Sequence, residues 1–246
     1  MRASRNAKFQ KVCDYMDNSL PAACLPPIIK MNDIHKTYGR GNNKITALAS
    51  ISFEVSKGEF VAILGPSGSG KSTLMNIIGL MDAPDSGEYF LDGENVVNTK
   101  EQRWARLRNE KIGFVFQKFN LIPKYSALYN VALPLMTQGK SYRAAKVKAR
   151  ETLERVGLKD RLSHKPSELS GGQIQRVAIA RALVGGRSLI LADEPTGSLD
   201  QKTGADILDF MKELNSEGRT IVMITHDANI AERAGRIVRV EDGRIV

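Results

Sequence analysis

An α/β fold is predicted, with a mostly parallel sheet as its core, an antiparallel β subdomain and an inserted α-helical subdomain. Three observations predict it. Short, largely apolar runs at Phe60–Leu64, Ile112–Phe116, Ser188–Ala192 and Thr220–Ile224 have the length and composition of strands buried on both faces. Amphipathic stretches of helical period lie between them, the alternation that builds parallel βαβ units. From about residue 118 to 170 the pattern is helical with no strand, so this stretch reads as an insert.

The 246 residues suffice for one large α/β domain or two closely packed subdomains with a sizeable core. Residues 28–246 read as that domain, and residues 1–27 as an extension to which no function is assigned. No apolar run approaches the roughly 18 residues that cross a bilayer, so a membrane role is expected to come through a partner. Cys13 and Cys24 lie in the extension and none lies beyond it, a pattern that fits a reducing cytosol. Arg2, Arg5, Lys8 and Lys11 are followed by no apolar stretch of the secretory kind, and Leu20–Cys24 lacks the run that a lipoprotein signal needs.

The net charge of +9 is concentrated in one region. Between Lys100 and Arg150, twelve Lys or Arg stand against Glu101 and Glu110 alone, so the rest of the chain is close to neutral. Such a patch fits nucleic acid, an acidic membrane surface, an acidic protein partner or a solvated helix face.

In order along the chain, Ile28–Lys36 is expected to be an edge strand and residues 40–44 a turn. Ile51–Val55 alternates with period two, and Lys57-Gly58 turns it into the strand Phe60–Leu64. A helix follows to Ile78. Glu88–Gly93 reads as a strand and turn, residues 100–110 as a charged helix, and Ile112–Phe116 as a strand with Gln117 at its end. Ser126–Met136 and Tyr142–Val156 are the helices of the insert. A long helix runs from Leu169 through Ala182, another from about Thr203 to Asn215. Asp193 and Glu194 end the strand Ser188–Ala192, and Thr225, His226 and Asp227 end Thr220–Ile224.

The stretch Gly65-Pro66-Ser67-Gly68-Ser69-Gly70-Lys71-Ser72, continued by Thr73, fits G-x-x-x-x-G-K-[ST] between a buried strand and a helix start. Its glycines let the backbone curl so that N–H groups and the positive helix end face an anion. Lys71 would reach β- and γ-phosphates as a point charge, and the Ser72 hydroxyl would ligate Mg²⁺. A nucleoside triphosphate is implied, the plainer alternative being a glycine-rich turn. In an open α/β sheet ligands bind beyond the strand carboxyl ends, where Lys71, Gln117, Asp193, Glu194 and His226 all fall. Asp193 suits Mg²⁺, held directly or through water, and Glu194 could polarise an attacking water; a helix cap or a surface pair is the alternative for these two acids. Ser170, Gly171, Gly172 and Gln173 open a helix whose free N–H groups could bind a second anion.

Together these pieces resemble the nucleotide-binding subunit of ABC transporters over residues 28–246, which implies a P-loop NTPase core that binds and hydrolyses ATP with Mg²⁺. Leu169-Ser170-Gly171-Gly172-Gln173 matches the family's signature motif, Gln117 its Q-loop glutamine, Ser198-Leu199-Asp200 its D-loop, His226 its switch histidine and Tyr38 its adenine-stacking aromatic. The resemblance implies ATP contacts at Tyr38, Gly65–Thr73, Ser170–Gln173 and Asp200, Mg²⁺ at Ser72, Gln117 and Asp193, and catalysis by Glu194, His226, Gln117 and Lys71. It also implies a head-to-tail homodimer, or a heterodimer with a similar chain, in which Ser170 and Gly172 complete the partner's γ-phosphate site.

An integral membrane permease is the further partner implied, with the chain cytoplasmic and peripheral on the inner membrane face. The basic surplus over residues 100–150 falls where the family docks its membrane subunits, so that face is expected to carry the permease and no nucleic acid is expected. Ile77–Asp82, Phe119–Pro123 and Ala192–Asp200 are similar to the macrolide-exporter and lipoprotein-release branch. Ser198 stands where that branch usually has Asn, and Ile174 where Gln is common; neither change removes a catalytic group. A regulatory ATPase of the cell-division type, or a soluble one such as in iron–sulfur assembly, would carry the same catalytic residues.

Overall fold

Every residue of Phe60–Leu64 is buried, and the alternation of its side chains divides the protein into two cores. The computed structural model describes residues 27–246, so Cys13, Cys24 and all but the last residue of the 1–27 extension lie outside the described residues. The chain runs β1 (Pro27–Tyr38), β2 (Ile45–Ser56), β3 (Phe60–Leu64), α1 (Lys71–Ile78), β4 (Ser86–Leu91), β5 (Glu94–Asn95), α2 (Glu101–Lys111) and β6 (Ile112–Phe116). It continues with α3 (Ala127–Thr137), α4 (Tyr142–Arg155), α5 (Gly171–Leu183), β7 (Leu189–Asp193), α6 (Gln201–Ser216), β8 (Thr220–Thr225), α7 (Ala228–Ala231), β9 (Arg236–Glu241) and β10 (Arg244–Ile245).

The larger sheet has the order β10-β9-β3-β8-β7-β6, parallel except for the terminal β10. On one face, Phe60, Ala62 and Leu64 pack with Val177 and Ile179 of α5, Ile207 and Met211 of α6, and Val131, Ala145 and Leu153 of the helical insert. On the other, Val61 and Ile63 pack with Leu74, Ile77 and Ile78 of α1 and with Met31, Phe53 and Tyr89 of the smaller sheet. The phosphate-loop helix is thus clamped between two sheets. Burial of this kind, about 25 cal/mol per Å² of apolar surface, holds a loop that must itself stay polar and open.

The smaller sheet corrects the expectation of an edge strand at Ile28–Lys36. Its order is β2-β1-β4-β5, so β1 is an interior strand and not an edge. β4 arrives from beyond α1 to pair its open side, with Ile29 opposite Leu91 and Met31 opposite Tyr89. The antiparallel segment therefore does not simply precede the core; its second half follows the first helix. β9, absent from the elements expected from sequence, pairs with β3 and makes that strand interior.

Arg187, only 4% exposed, fastens the outer strand of the larger sheet. Its guanidinium donates to Asn109 O at 3.0 Å and Asn109 Oδ1 at 3.1 Å on α2, and to the carbonyls of Arg181 at 3.0 Å and Ala182 at 3.2 Å on α5. Burial, with the Arg181 charge nearby, pushes it down to about 10. Arg187→Met is expected to cost about 2–3 kcal/mol, because main-chain acceptors lose a charged donor and stay buried. Urea denaturation with an unchanged m-value would report it.

Candidate nucleotide site

Strand register sets the proposed reacting groups side by side. Leu64 is level with Thr225, Ile224 with Asp193, and Asp193 with Phe116. The residues that follow these strands, Gly65–Ser72, His226, Glu194 and Gln117, therefore lie along one edge of the sheet.

The loop owes its path to glycine. Gly70 caps α1 at φ 102°, where L side chains are strained, and a Cβ there would stand 2.4 Å from Ala47 O. At Gly65 a Cβ would stand 2.1 Å from Val240 O on β9. Lys71 is buried, and its ammonium donates to Gly65 O at 2.8 Å and Pro66 O at 2.6 Å, with Ser69 Oγ at 3.4 Å. Burial lowers its pKa, against the opposing pull of Glu194 and Asp193. Pro66, Ser67, Gly68 and Ser72 are exposed, so the outer rim of the loop is open to a ligand.

Glu194 carries a backbone strain, φ 44°, of a kind that clusters at functional sites. Its side chain is 15% exposed and accepts from His226 N at 2.9 Å, Thr225 Oγ1 at 3.2 Å and His226 Nδ1 at 2.6 Å. A carboxylate accepting at Nδ1 assigns the proton to that nitrogen and leaves Nε2 free on an imidazole that is 70% exposed. Beside it, burial and then Glu194 raise the Asp193 carboxyl above its ordinary value, with Lys71 offsetting part of this. A cation would relieve both causes, and hydroxyl, amide and carboxylate oxygens are the donors that Mg²⁺ accepts, few of them from protein and the rest from phosphate and water. The residues present thus fit the ion.

Gln117 is exposed and packs on the segment after Glu194: a Cβ on Gly197 would lie 2.8 Å from its Nε2, and Ser198 Oγ donates to its carbonyl at 3.1 Å. The chain beyond it turns through Phe119 and Asn120 at φ 59° and 50°, with the Arg181 guanidinium bonded to both their carbonyls. Tyr38 ends β1 as an exposed residue, at 41%.

The signature stretch stands apart. Ser170 caps α5 and shares a capping box with Gln173: Ser170 Oγ accepts from Gln173 N at 3.4 Å, and Gln173 Oε1 from Ser170 N at 3.0 Å. The Ser170 hydroxyl proton and the first-turn N–H groups at Gly171 and Gly172 remain as donors. Asp200 caps α6, its carboxylate accepting from Thr203 N at 3.0 Å; the Thr203 hydroxyl first, and then that main-chain bond, hold it below its ordinary value. Among the described residues no hydrogen bond joins 169–173 to 65–73.

Sequence reasoning missed several supports. Thr225 reaches Glu194; Gln175, fully buried, donates from Nε2 to Pro195 O at 2.6 Å beside the strained glutamate. The signal for Gln175 was a glutamine on the core-facing stripe of α5. Thr225 had only its place at a strand end.

The family model described as ABC transporter matches residues 48–197. The ABC transporter ATP-binding protein YvrO of Bacillus subtilis is 52% identical over 219 residues, 89% of this chain and 96% of that protein. The macrolide export ATP-binding/permease protein MacB of Escherichia coli is 47% identical over 219 residues, 89% of this chain but only 34% of MacB. The dimeric ATP-binding cassette MJ0796, in a post-hydrolysis state with ADP and Pi, superposes with a TM-score of 0.81 at 45% identity, covering 88% of this chain and 96% of that one. Motif, relatives and fold agree, and the chain belongs to the ABC transporter family as an ATP-binding, ATP-hydrolysing cassette close to the macrolide-export branch.

Proposed function

We propose that the chain hydrolyses Mg-ATP between two protomers to drive a separate membrane permease for export or mechanical transmission. Residues 28–246 are the cassette, with about 118–170 as a helical subdomain that moves with Gln117. Gly65–Thr73 cradle the phosphates and Lys71 spans the β- and γ-groups. Ser72, Asp193 and Gln117 would hold Mg²⁺, which would supply neutralisation of the phosphate charge. Glu194 orients and polarises the attacking water. His226 holds Glu194 through Nδ1 and offers Nε2 towards the γ-phosphate. Ser170, Gly171, Gly172, Gln173 and Asp200 act in the partner's site, and adenine stacks on Tyr38.

One observation carries this reading: a strained glutamate at a parallel strand end accepts two bonds from His226 and one from Thr225. That arrangement orients a carboxylate for a water. The permease is expected on the basic helical face. No helix among the described residues is long and apolar enough to cross a membrane. On α4, Lys148 pairs with Glu151 at 2.7 Å, whereas Arg143 and Lys146 make no ion pair among the described residues. Their charge is available to a partner.

The test is co-purification from gently solubilised membranes of the native cell. An integral membrane protein is expected to accompany the chain, and Arg143→Glu, Lys146→Glu and Lys148→Glu together should cut its recovery about tenfold, the range of a few lost charge contacts. The ATPase rate of the isolated chain should change by less than about twofold, since surface charges far from such a site act weakly. Recovery of soluble partners alone would move the reading to a soluble ATPase.

A further inference from the structure

Tyr38 does not stand alone at the end of β1. Its hydroxyl donates to Asp82 Oδ2 at 2.6 Å, and Asp82 Oδ1 accepts from Lys36 Nζ at 2.8 Å. Lys36 also donates to Ala83 O at 2.6 Å and lies 3.8 Å from Asp85 Oδ1, while Asp85 Oδ2 accepts from Thr37 N at 2.6 Å. The Lys36 ammonium stands over the Tyr38 ring, 5.2 Å from its centroid. The Lys36 side chain is 11% exposed and that of Asp82 30%, so both are partly sheltered, while Tyr38 is an exposed residue. Burial pushes the Asp82 carboxyl up, but the bonds from Lys36 and Tyr38 outweigh it and leave it below its ordinary value.

Asp82 is fixed in turn. Met81 N and Asp82 N both donate to Asn76 O, at 2.7 and 3.3 Å, closing the turn that ends α1. Lys71 opens that same helix. The ring at the end of β1 is therefore tied to the far end of the phosphate-loop helix.

A tyrosine at a strand end has two side-chain torsions to lose when a planar ligand stacks on it, and freezing a free side chain weakens binding. Here one torsional freedom is removed by the bond to Asp82, and one ring face is engaged by the Lys36 ammonium. The other face remains for the ligand. We infer that Asp82, with Lys36 behind it, is a positioning residue that fixes the Tyr38 ring as the platform for the nucleobase, so that base-dependent affinity rests on a carboxylate touching neither base nor phosphate. The inference depends on the reading of Tyr38 as the adenine platform.

The experiment compares two ligands on the full chain, Mg-ATP and Mg-tripolyphosphate, which share phosphates but not a base. Asp82→Ala is expected to raise the ATP Kd about three- to tenfold, the cost of reordering one side chain, and to leave the tripolyphosphate Kd within about twofold. Tyr38→Phe removes only the bond to Asp82 and keeps the Lys36 pair, so it should weaken ATP in the same selective way, by a similar or smaller factor. The double variant should be no weaker than Asp82→Ala, because that variant already lacks the bond. Should Asp82→Ala fail to fold, Tyr38→Phe alone gives the reading.

Equal weakening of both ligands by Asp82→Ala or Tyr38→Phe would overturn the inference in favour of a structural role at the end of α1. So would no change in either ligand. Tyr38→Ala separates the two levels. Loss of the preference for ATP over tripolyphosphate in Tyr38→Ala, with Tyr38→Phe and Asp82→Ala unaffected, would retain the platform and sink the bracket. An unchanged preference in Tyr38→Ala would sink both.

Discussion

Glu194→Gln is expected to lower kcat for Mg-ATP hydrolysis about 10³-fold, roughly 4 kcal/mol of transition-state stabilisation, with ATP affinity nearly unchanged. The substitution keeps size and polarity but replaces a carboxylate oxygen at the His226 Nδ1 bond, 2.6 Å long, by a group that accepts more weakly or donates. It also removes the negative charge that would draw a proton from water. The phosphate loop is untouched, since Lys71 bonds to Gly65 and Pro66 and not to Glu194. ATP should bind and persist. If two ATP molecules close two protomers, the variant should accumulate as a dimer in Mg-ATP, visible by light scattering. A variant that releases phosphate at the wild-type rate would remove Glu194 from the catalytic role.

The motifs were legible because each is local. Gly65–Ser72 needs only one turn of backbone between a strand and a helix, and Ser170–Gln173 only the first turn of a helix. The runs Phe60–Leu64 and, within β8, Ile221–Ile224 are apolar throughout because both faces of each strand are covered, and the sequence carries that directly. What was not legible depends on pairing between distant segments. The interior position of β1 comes from β4, more than fifty residues away, as the pairing of Ile29 with Leu91 shows. β9 reads Arg236-Ile-Val-Arg-Val-Glu241, with only Val238 and Val240 buried, and so resembles a surface strand until β3 is placed beside it. The pairing of Lys36 with Asp82 likewise joins residues 46 positions apart. Lys71, Gln117, Asp193, Glu194 and His226 could nonetheless be brought together from sequence, because parallel strands bring their carboxyl ends level.

Two opposite pairings of inactive protomers should give opposite results. In a head-to-tail dimer each ATP site takes its phosphate loop from one chain and its signature helix from the other. Lys71→Ala should disable a loop by removing the charge proposed for the β- and γ-phosphates. Gly171→Asp disables a signature end by placing a carboxylate among the N–H donors of α5. The helix itself tolerates the change, because an acid in the first turn favours its dipole and the new Cβ meets only Leu199 Cδ2, at 3.3 Å. If both substitutions sit on one protomer and the partner is wild type, both composite sites contain a defect and hydrolysis should fall about 10²-fold or more, as when a charge-stabilising donor is lost. If they sit on separate protomers, one site collects both defects and the other is intact, so about half of the two-site activity should survive on the same arithmetic. Sites completed within a single chain would reverse the order. The uncommitted N–H groups at Gly171 and Gly172, which no hydrogen bond links to their own phosphate loop among the described residues, favour the first outcome. Tagged co-expression and tandem purification would isolate each mixed dimer for the comparison.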